Sequence, residues 1–472
     1  MREYNDNDKC SHTPQKKRKV FRVKVGYIGL GAMGGSLVKH LLGKFDLSIW
    51  DINETAVNKI VSLGARKAES AATLARDCDV IILCLPRSSD VDVVLFGEQG
   101  LATSLAPGKL VIDQTSGVPA MTNMMAERLS EQGVLMLDAP LSGGIPAAKS
   151  GIVSIIASGS DAAWAIAEPI LSGMSSKVFR SGSSVGNGQA LKLINNAIGA
   201  IYRLSTLELT ALACKSGIPM AAVVERLNYG PAANFTTRGM LVARLGGKAS
   251  TDFALALMLK DINEALTIAR TGQVPMPLTY IVRDLMQTGL NHYGKEARLE
   301  TVIPLIETIS GASISAQTTL DLAPMQDCET QILLADIESA VEICNLMAAY
   351  ECISVGLANG LDLETMRTVL DSGSAWSDAS MRAFEGMSQG TDPAGFAPLG
   401  EMVETLQRVT RQAAVSGVPL FFTNRLLSDC EAGHLALGEA ACVEKIGLHQ
   451  LARSVHAGSP ADATSRLSAS RP

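Results

Sequence analysis

Aromatic side chains are scarce, at 4% of 472 residues, while glycine numbers 42 and methionine 18. That balance disfavours a sandwich or barrel of aromatic-rich strands and suits close-packed helices and βα units. A basic excess is also missing: Lys+Arg 41 against Asp+Glu 47 gives a net charge of −6. A general nucleic-acid binder carries a clustered positive surplus, so no nucleic-acid partner is expected. No uninterrupted apolar run reaches the ~18 residues a spanning helix needs, so no membrane partner is expected either. The nine cysteines are scattered and odd in number, and none forms C-x-x-C. Most lie inside apolar runs, as Cys84 does in IILCLP, where a buried small hydrophobe is the natural reading. A disulfide framework or zinc ribbon is disfavoured, and a reducing compartment, the cytoplasm, fits best. The six histidines stand singly, without H-x-H or H-E-x-x-H, so no metal site is expected.

Length and punctuation divide the chain. Residues 1–22 are polar and lack the apolar core of a secretory signal. Pro14–Val20 (PQKKRKV) resembles a basic nuclear-import motif, although a solvated tail is the simpler reading. Residues 23–184 alternate short β-rich runs (VKVGYIGL, LSIWD, DVIILCLP, KLVIDQTS, VLMLDAP, IVSIIAS, KVFRS) with helical stretches. The first of those helices is read in SLVKHLLGKF, directly after the opening strand. Near-continuous apolar strands belong to a parallel sheet covered on both faces, so one doubly wound α/β Rossmann domain is expected there. Residues 185–312 change character. GQALKLINNAIGAIYRLSTLELTALACKSG has no proline and predicts a helix of about 28 residues, ~42 Å long, opening an all-α domain. Residues 313–327 read as a linker, 328–453 as a second helical domain and 454–472 as a disordered tail.

The second helical part repeats the first. STLELTALACKSGIPMAAVVERL (205–227) lies over AAYECISVGLANGLDLETMRTVL (348–370). Glu208 matches Glu351 (351 − 208 = 143), and Gly217 matches Gly360 at the same offset. Phe253 falls on Phe396, and Val274-Pro275 on Val418-Pro419 one residue later. A tandem copy follows.

Gly29-Leu30-Gly31-Ala32-Met33-Gly34 is G-x-G-x-x-G placed directly after a strand and before a helix. In that setting the first glycine permits the tight turn and the second admits a pyrophosphate at the helix N-terminus. The third lets helix and strand pack closely. Asp51 ends the second strand 51 − 29 = 22 residues later, where a carboxylate accepts the adenosine ribose hydroxyls and repels a 2′-phosphate. Ile52 and Asn53 supply no arginine for such a phosphate, so NAD is favoured, with NADP left open. Leu85-Pro86, closing the DVIILCLP run, joins the expected cofactor-binding set.

Four further elements carry a family resemblance. Asp138-Ala139-Pro140-Leu141-Ser142-Gly143-Gly144 resembles the substrate-binding signature of the β-hydroxyacid dehydrogenases, the 3-hydroxyisobutyrate dehydrogenase-like family. Gly186-Asn187-Gly188 through Lys192 to Asn196 resembles that family's G-x-G-x-x-x-K-x-x-x-N catalytic signature. Asp113-Gln114-Thr115-Ser116-Gly117-Val118-Pro119 resembles its D-x-S/T-S/T-x-x-P loop, and Lys260-Asp261 its K-D element. The likeness covers about 23–310.

The resemblance implies an NAD(P)-dependent oxidoreductase acting on a small β-hydroxy or 2,3-dihydroxy acid. Lys192 and Asn196 would be catalytic, and Ser142, Gly143, Gly144, Thr115 and Lys260 would bind substrate. Thr115 and Lys260 would also meet the cofactor. On chemistry alone, Lys192 and Asn196 are i and i+4 and share a helix face near its N-terminus. Burial there disfavours a charged lysine and would lower its pKa, as a general acid/base needs. A serine followed by two glycines offers a hydroxyl and approachable N–H groups to a carboxylate.

The length and doubled helical part are similar to 6-phosphogluconate dehydrogenases, whose D-G-G-N loop and His-Asn pair are absent. ASGS at 157–160 is reminiscent of the threonate dehydrogenase branch. The copy places Ala335 at the Lys192 position and Ser339 at the Asn196 position (192 + 143 = 335; 196 + 143 = 339), so it lacks the chemistry. It is expected to form an internal pseudo-dimer, or the chain a homodimer, through the helical domains. Two other functions remain open on sequence: a non-catalytic nucleotide-binding scaffold, and an imine or ketone reductase of the same fold.

Overall fold

A computed structural model describes residues 23–314, 328–392 and 395–443. The tails read at 1–22 and 454–472, most of the linker at 313–327, and the end of the second helical part lie outside the described residues.

The nucleotide-binding half follows strand–helix alternation. It runs β1 (Lys24–Ile28), α1 (Gly34–Leu37), β2 (Asp46–Trp50), α2 (Glu54–Val61), β3 (Arg66–Lys67), α3 (Ala71–Asp77) and β4 (Val80–Leu83). It continues through α4 (Ser88–Phe96), β5 (Leu110–Asp113), α5 (Pro119–Ser130) and β6 (Leu135–Asp138). These six strands form one parallel sheet in the order β3-β2-β1-β4-β5-β6. Alternate residues feed two cores: Val25, Tyr27, Ile82 and Ile112 face one side, and Ile28, Ile81, Leu83 and Val111 the other. Burial on both faces is why these runs are apolar without a polar alternation.

Two readings need correction. The SLVKHLLGKF stretch is helical only as α1 followed by a tight 3-10 turn, Val38–Leu41, because Leu42 turns extended and Gly43 takes φ +74°. The last strands do not extend the main sheet. β7 (Leu141–Ser142), β8 (Ser154–Ala157) and β9 (Lys177–Arg180) make a separate three-stranded sheet, antiparallel at β7–β8 and parallel at β8–β9. The chain turns at Ala139-Pro140, and α6 (Gly144–Lys149) sends it back beside β7, while α7 (Asp161–Met174) links β8 to β9.

The helical part opens with α8 (Asn187–Lys215), as the proline-free run predicts. By length and hydropathy it could cross a membrane, but 94% of its apolar window is buried inside the fold. It is followed by α9 (Met220–Tyr229), α10 (Val242–Leu245), α11 (Leu255–Thr271), α12 (Pro277–Tyr293) and α13 (Val302–Ser310). Then come α14 (Cys328–Ala358), α15 (Leu363–Leu370), α16 (Asp378–Gln389), α17 (Leu399–Ser416) and α18 (Phe421–Leu437). A single apolar core runs through all of them, with α14 packed along α8. A helix apolar on every side is stable only when surrounded in this way.

Two buried glutamates pin the helices across that junction. Glu208 on α8 accepts the backbone N–H groups of Phe421, Phe422 and Thr423 and the Thr423 hydroxyl, at the start of α18. Glu351 on α14 accepts the N–H groups of Leu278 and Thr279 and the Thr279 hydroxyl, at the start of α12. Each carboxylate therefore satisfies the free donors of a helix N-terminus.

Candidate active site

The glycine loop has the geometry its residues imply. A Cβ on Gly29, at φ +97°, would lie 2.2 Å from the Cys84 carbonyl oxygen, and one on Gly34 would lie 1.9 Å from that of Gly29. These two glycines let backbones touch. A Cβ on Gly31 would meet nothing within 4 Å, so the open side of the loop is free for a ligand's pyrophosphate. Leu30, Ala32 and Met33 fill the loop between them. Asp51 accepts from the Leu30 N–H at 2.5 Å and from the Asn53 N–H at 2.7 Å, which ties the end of β2 to the loop. Ile52 beside it is 89% exposed and carries no charge. The residues present therefore fit a dinucleotide.

Across the carboxyl edge of the sheet, the Leu85 N–H donates to Thr115 Oγ1 at 3.1 Å, joining the segments after β4 (Leu85-Pro86) and β5. Asp113 and Asp138, which end β5 and β6, are fully buried. Burial pushes the Asp113 carboxyl up to about 7, against hydrogen bonds from Thr115 and Gln189. It pushes Asp138 up to about 6, opposed by Ser158 and by backbone N–H groups.

Those N–H groups belong to the start of α8. Gly186 and Gln189 each donate to Asp138 at 2.8 Å, and Gly188 donates to Ser158 Oγ at 2.8 Å. The Gln189 amide donates to Asp113 at 3.3 Å and accepts from the Thr122 hydroxyl at 2.8 Å. Asp138 thus acts as a cap in trans, seating the N-terminus of α8 on the sheets. The first residue of the Asp138–Gly144 signature is structural, a role the motif alone did not disclose.

One turn further in, Lys192 is buried, with 5% of its side chain exposed. Its ammonium meets Asp261 of α11 at 2.6 Å. Asn196 Nδ2 donates to the same Asp261 oxygen at 2.7 Å. Lys260 stands 3.2 Å from the other oxygen and donates to the Ser116 carbonyl at 2.5 Å, bridging from α11 to the loop after β5. Burial drives the Asp261 carboxyl up, but Lys192 and Lys260 outweigh it and hold the group below its usual range.

The lysine whose charged form burial and the helix N-terminus were expected to disfavour is ion-paired. The charge that changes the expectation comes from Asp261, next to a residue that was singled out. Lys192, Asn196, Lys260 and the Ser116 carbonyl form one linked cluster through Asp261, and Gln189 Nε2 on α8 donates to the Thr115 carbonyl oxygen at 3.4 Å. Ser142, Gly143 and Gly144 stand at the turn from β7 into α6, on the sheet against which α8 begins. No direct bond to Lys192 is present there among the described residues.

Residues 24–182 match the NAD binding domain of 6-phosphogluconate dehydrogenase. Residues 186–306 match the NAD-binding domain of NADP-dependent 3-hydroxyisobutyrate dehydrogenase. L-threonate dehydrogenase of Cupriavidus necator is 30% identical over 275 residues, 58% of this chain and 93% of that one. 3-hydroxyisobutyrate dehydrogenase of Pseudomonas aeruginosa is 31% identical over 282 residues, 57% of this chain and 94% of that one. The 6-phosphogluconate dehydrogenase structure of Plasmodium falciparum superposes with a TM-score of 0.66 at 14% identity, covering 90% of this chain and 94% of that one. That likeness is one of fold, and it continues into the second set of helices. The chain belongs to the β-hydroxyacid dehydrogenase family. It is an NAD(P)-binding oxidoreductase of the hydroxyacid dehydrogenase class.

Proposed function

We propose that the enzyme moves a hydride between NAD and a small β-hydroxy or 2,3-dihydroxy carboxylic acid, with Lys192 as general acid/base. The observation that carries this reading is the buried Lys192–Asp261–Asn196 cluster at the start of α8. NAD, when bound, supplies the hydride acceptor. In reduction the Lys192 ammonium gives a proton to the carbonyl oxygen; in oxidation the ammonium first releases a proton to solvent, and the free amine so formed takes the hydroxyl proton. Asn196 orients the hydroxyl, and Asp261 holds the lysine in place. Ser142 and the N–H groups of Gly143 and Gly144 receive the carboxylate, while Lys260 and Thr115 close over the nicotinamide end. L-threonate and 3-hydroxyisobutyrate, which name the substrates of two relatives, both fit that acid class.

The test is a dehydrogenase screen with NAD and NADP across L-threonate, glycerate, 3-hydroxyisobutyrate, 4-hydroxybutyrate and L-serine, each beside its methyl ester. Turnover of an acid and not of its ester is expected. NADH binding without turnover of any acid would favour the scaffold reading, and equal turnover of the esters would favour a ketone reductase.

We further propose that residues 328–443 occupy the place of a partner subunit's helical domain. The reciprocal Glu208 and Glu351 contacts support this. So does the strand-like pairing of Asn234 with Ser377, because 377 − 234 = 143 makes each the copy of the other. The same holds for Tyr202, whose hydroxyl donates to the carbonyl of Asn345 (345 − 202 = 143) at 3.3 Å. Contacts of a residue with its own counterpart mark a two-fold axis.

A further inference from the structure

We infer that the second helical copy, without a lysine of its own, sets the orientation of Asn196 through Asn195 and the loop 373–375. This rests on the reading of Lys192 and Asn196 as the reacting pair. Asn195 is buried on α8, and both its amide oxygen and its amide nitrogen are hydrogen-bonded. Its Oδ1 accepts the backbone N–H of Ala375 at 3.2 Å. Its Nδ2 donates to Ser374 Oγ at 2.9 Å and to Asn196 Oδ1 at 3.3 Å. Asn196 Nδ2 then donates to Asp261, which holds Lys192.

The polarity of this relay is fixed at both ends. An asparagine amide can rotate by half a turn, exchanging donor for acceptor at little cost in shape. A backbone N–H cannot become an acceptor. Ala375 N–H therefore dictates that Asn195 present its oxygen to the loop and its NH2 to Asn196. Asn196 must then turn its oxygen to Asn195 and its NH2 to Asp261. The Asp261 carboxylate can only accept and so asks for the same orientation, and the main-chain donor of the second copy holds Asn195 in the one polarity that leaves Asn196 hydrogen-bonded on both sides.

The contact is close on both sides. A Cβ on Gly373 would lie 2.3 Å from Asn195 Oδ1, and a Cβ on Gly199 would lie 2.7 Å from Ser374 Oγ. Bare backbone at both positions lets the loop reach the helix. The counterpart position does not repeat the relay. The frame puts Glu338 where Asn195 stands (195 + 143 = 338), and Glu338 is ion-paired with Arg226 at 2.5 Å. Among the described residues the amide relay occurs only on the side that has the lysine.

Asn195→Asp tests the polarity directly. It keeps the shape and the acceptor for Ala375 but removes the donors to Asn196 and Ser374, leaving the Asn196 amide oxygen against a carboxylate and pushing that side chain off its seat on Asp261. Gly373→Ala tests the same relay from the other side by pushing the loop off Asn195. Kinetics use L-threonate, or 3-hydroxyisobutyrate if threonate is not turned over, with melting temperature and NADH affinity measured alongside. Both variants should lower kcat by about tenfold or more, as small misplacements of reacting groups do. NADH affinity should stay within about twofold and the pH–rate profile of Asn195→Asp should be displaced. Unchanged turnover per folded molecule in both variants, with Asn196→Ala impaired, would overturn the relay while leaving the site reading intact. An unimpaired Asn196→Ala would instead overturn the site reading. A crystal structure with Ser374 and Ala375 out of reach of Asn195 would overturn the relay whatever the kinetics.

Discussion

Replacing Lys192 with Met separates the chemistry of the site from its stability. The substitution keeps an unbranched side chain of similar reach and removes only the ammonium. Asp261, 2% exposed, then loses its partner at 2.6 Å. Breaking one side of a buried ion pair costs ~3–5 kcal/mol. Asp261 keeps the Asn196 donor at 2.7 Å and the Lys260 ammonium at 3.2 Å, which places the loss toward the lower figure. At ~2 °C of melting temperature per kcal/mol for a large domain, a fall of ~6 °C is expected. Loss of a positioned acid/base lowers kcat by about 10²–10⁴. Adding Asp261→Asn to Lys192→Met removes the stranded charge, so most of the melting temperature should return while turnover stays low. The assays are thermal unfolding, NADH fluorescence titration and steady-state NADH formation on one set of proteins. Recovery of turnover together with stability in the double variant would show that Lys192 is a structural ion pair, and the acid/base assignment would be lost.

Three further outcomes follow from the same contacts. Wild type should bind NADH at least about tenfold tighter than NADPH, and Asp51→Ser should narrow that gap, since the carboxylate beside the exposed Ile52 repels a 2′-phosphate; equal affinities in the wild type would refute it. Burial raises the carboxyls of Glu208 and Glu351 to about 7, so the folded form holds their protons more tightly than the unfolded chain. Stability is then greatest on the acid side and falls as pH rises through 7; melting temperatures from pH 5 to 8 should show this fall, flattened in the Glu208→Gln/Glu351→Gln variant. Deleting 313–472 should expose the apolar faces of α8 and α12 and cause aggregation, whereas a well-behaved, fully active truncated monomer would exclude the partner-like role of the second copy.

Local signals carried much of this molecule. The glycine loop, Asp51 and the proline-free run that became α8 are short-range patterns, and each lies where its spacing implies. Lys192 and Asn196 were readable because i and i+4 on a helix share a face regardless of what packs there. The pairing of Asp261 with Lys192 was not, because it spans 69 residues and exists only through the packing of α8 on α11. The second sheet was hidden for a different reason. β7 is two residues long, too short for any periodicity, and its antiparallel pairing with β8 depends on the turn at Ala139-Pro140.

The interlocking of the two helical sets shows where repeat arithmetic stops. An offset of 143 says that Glu208 and Glu351 are equivalent, and each could cap the helix that follows within its own copy. The structure does the opposite: Glu208 reaches α18 and Glu351 reaches α12, each crossing to the other set. A carboxylate with no helix terminus beside it would bear its burial cost uncompensated, so neither set can satisfy its central glutamate alone. The long helix that carries Lys192 thus has its buried acid hydrogen-bonded by the donors at the start of α18. A sequence records that two segments are alike. Which of them completes the other is decided by the donors left over at their helix ends.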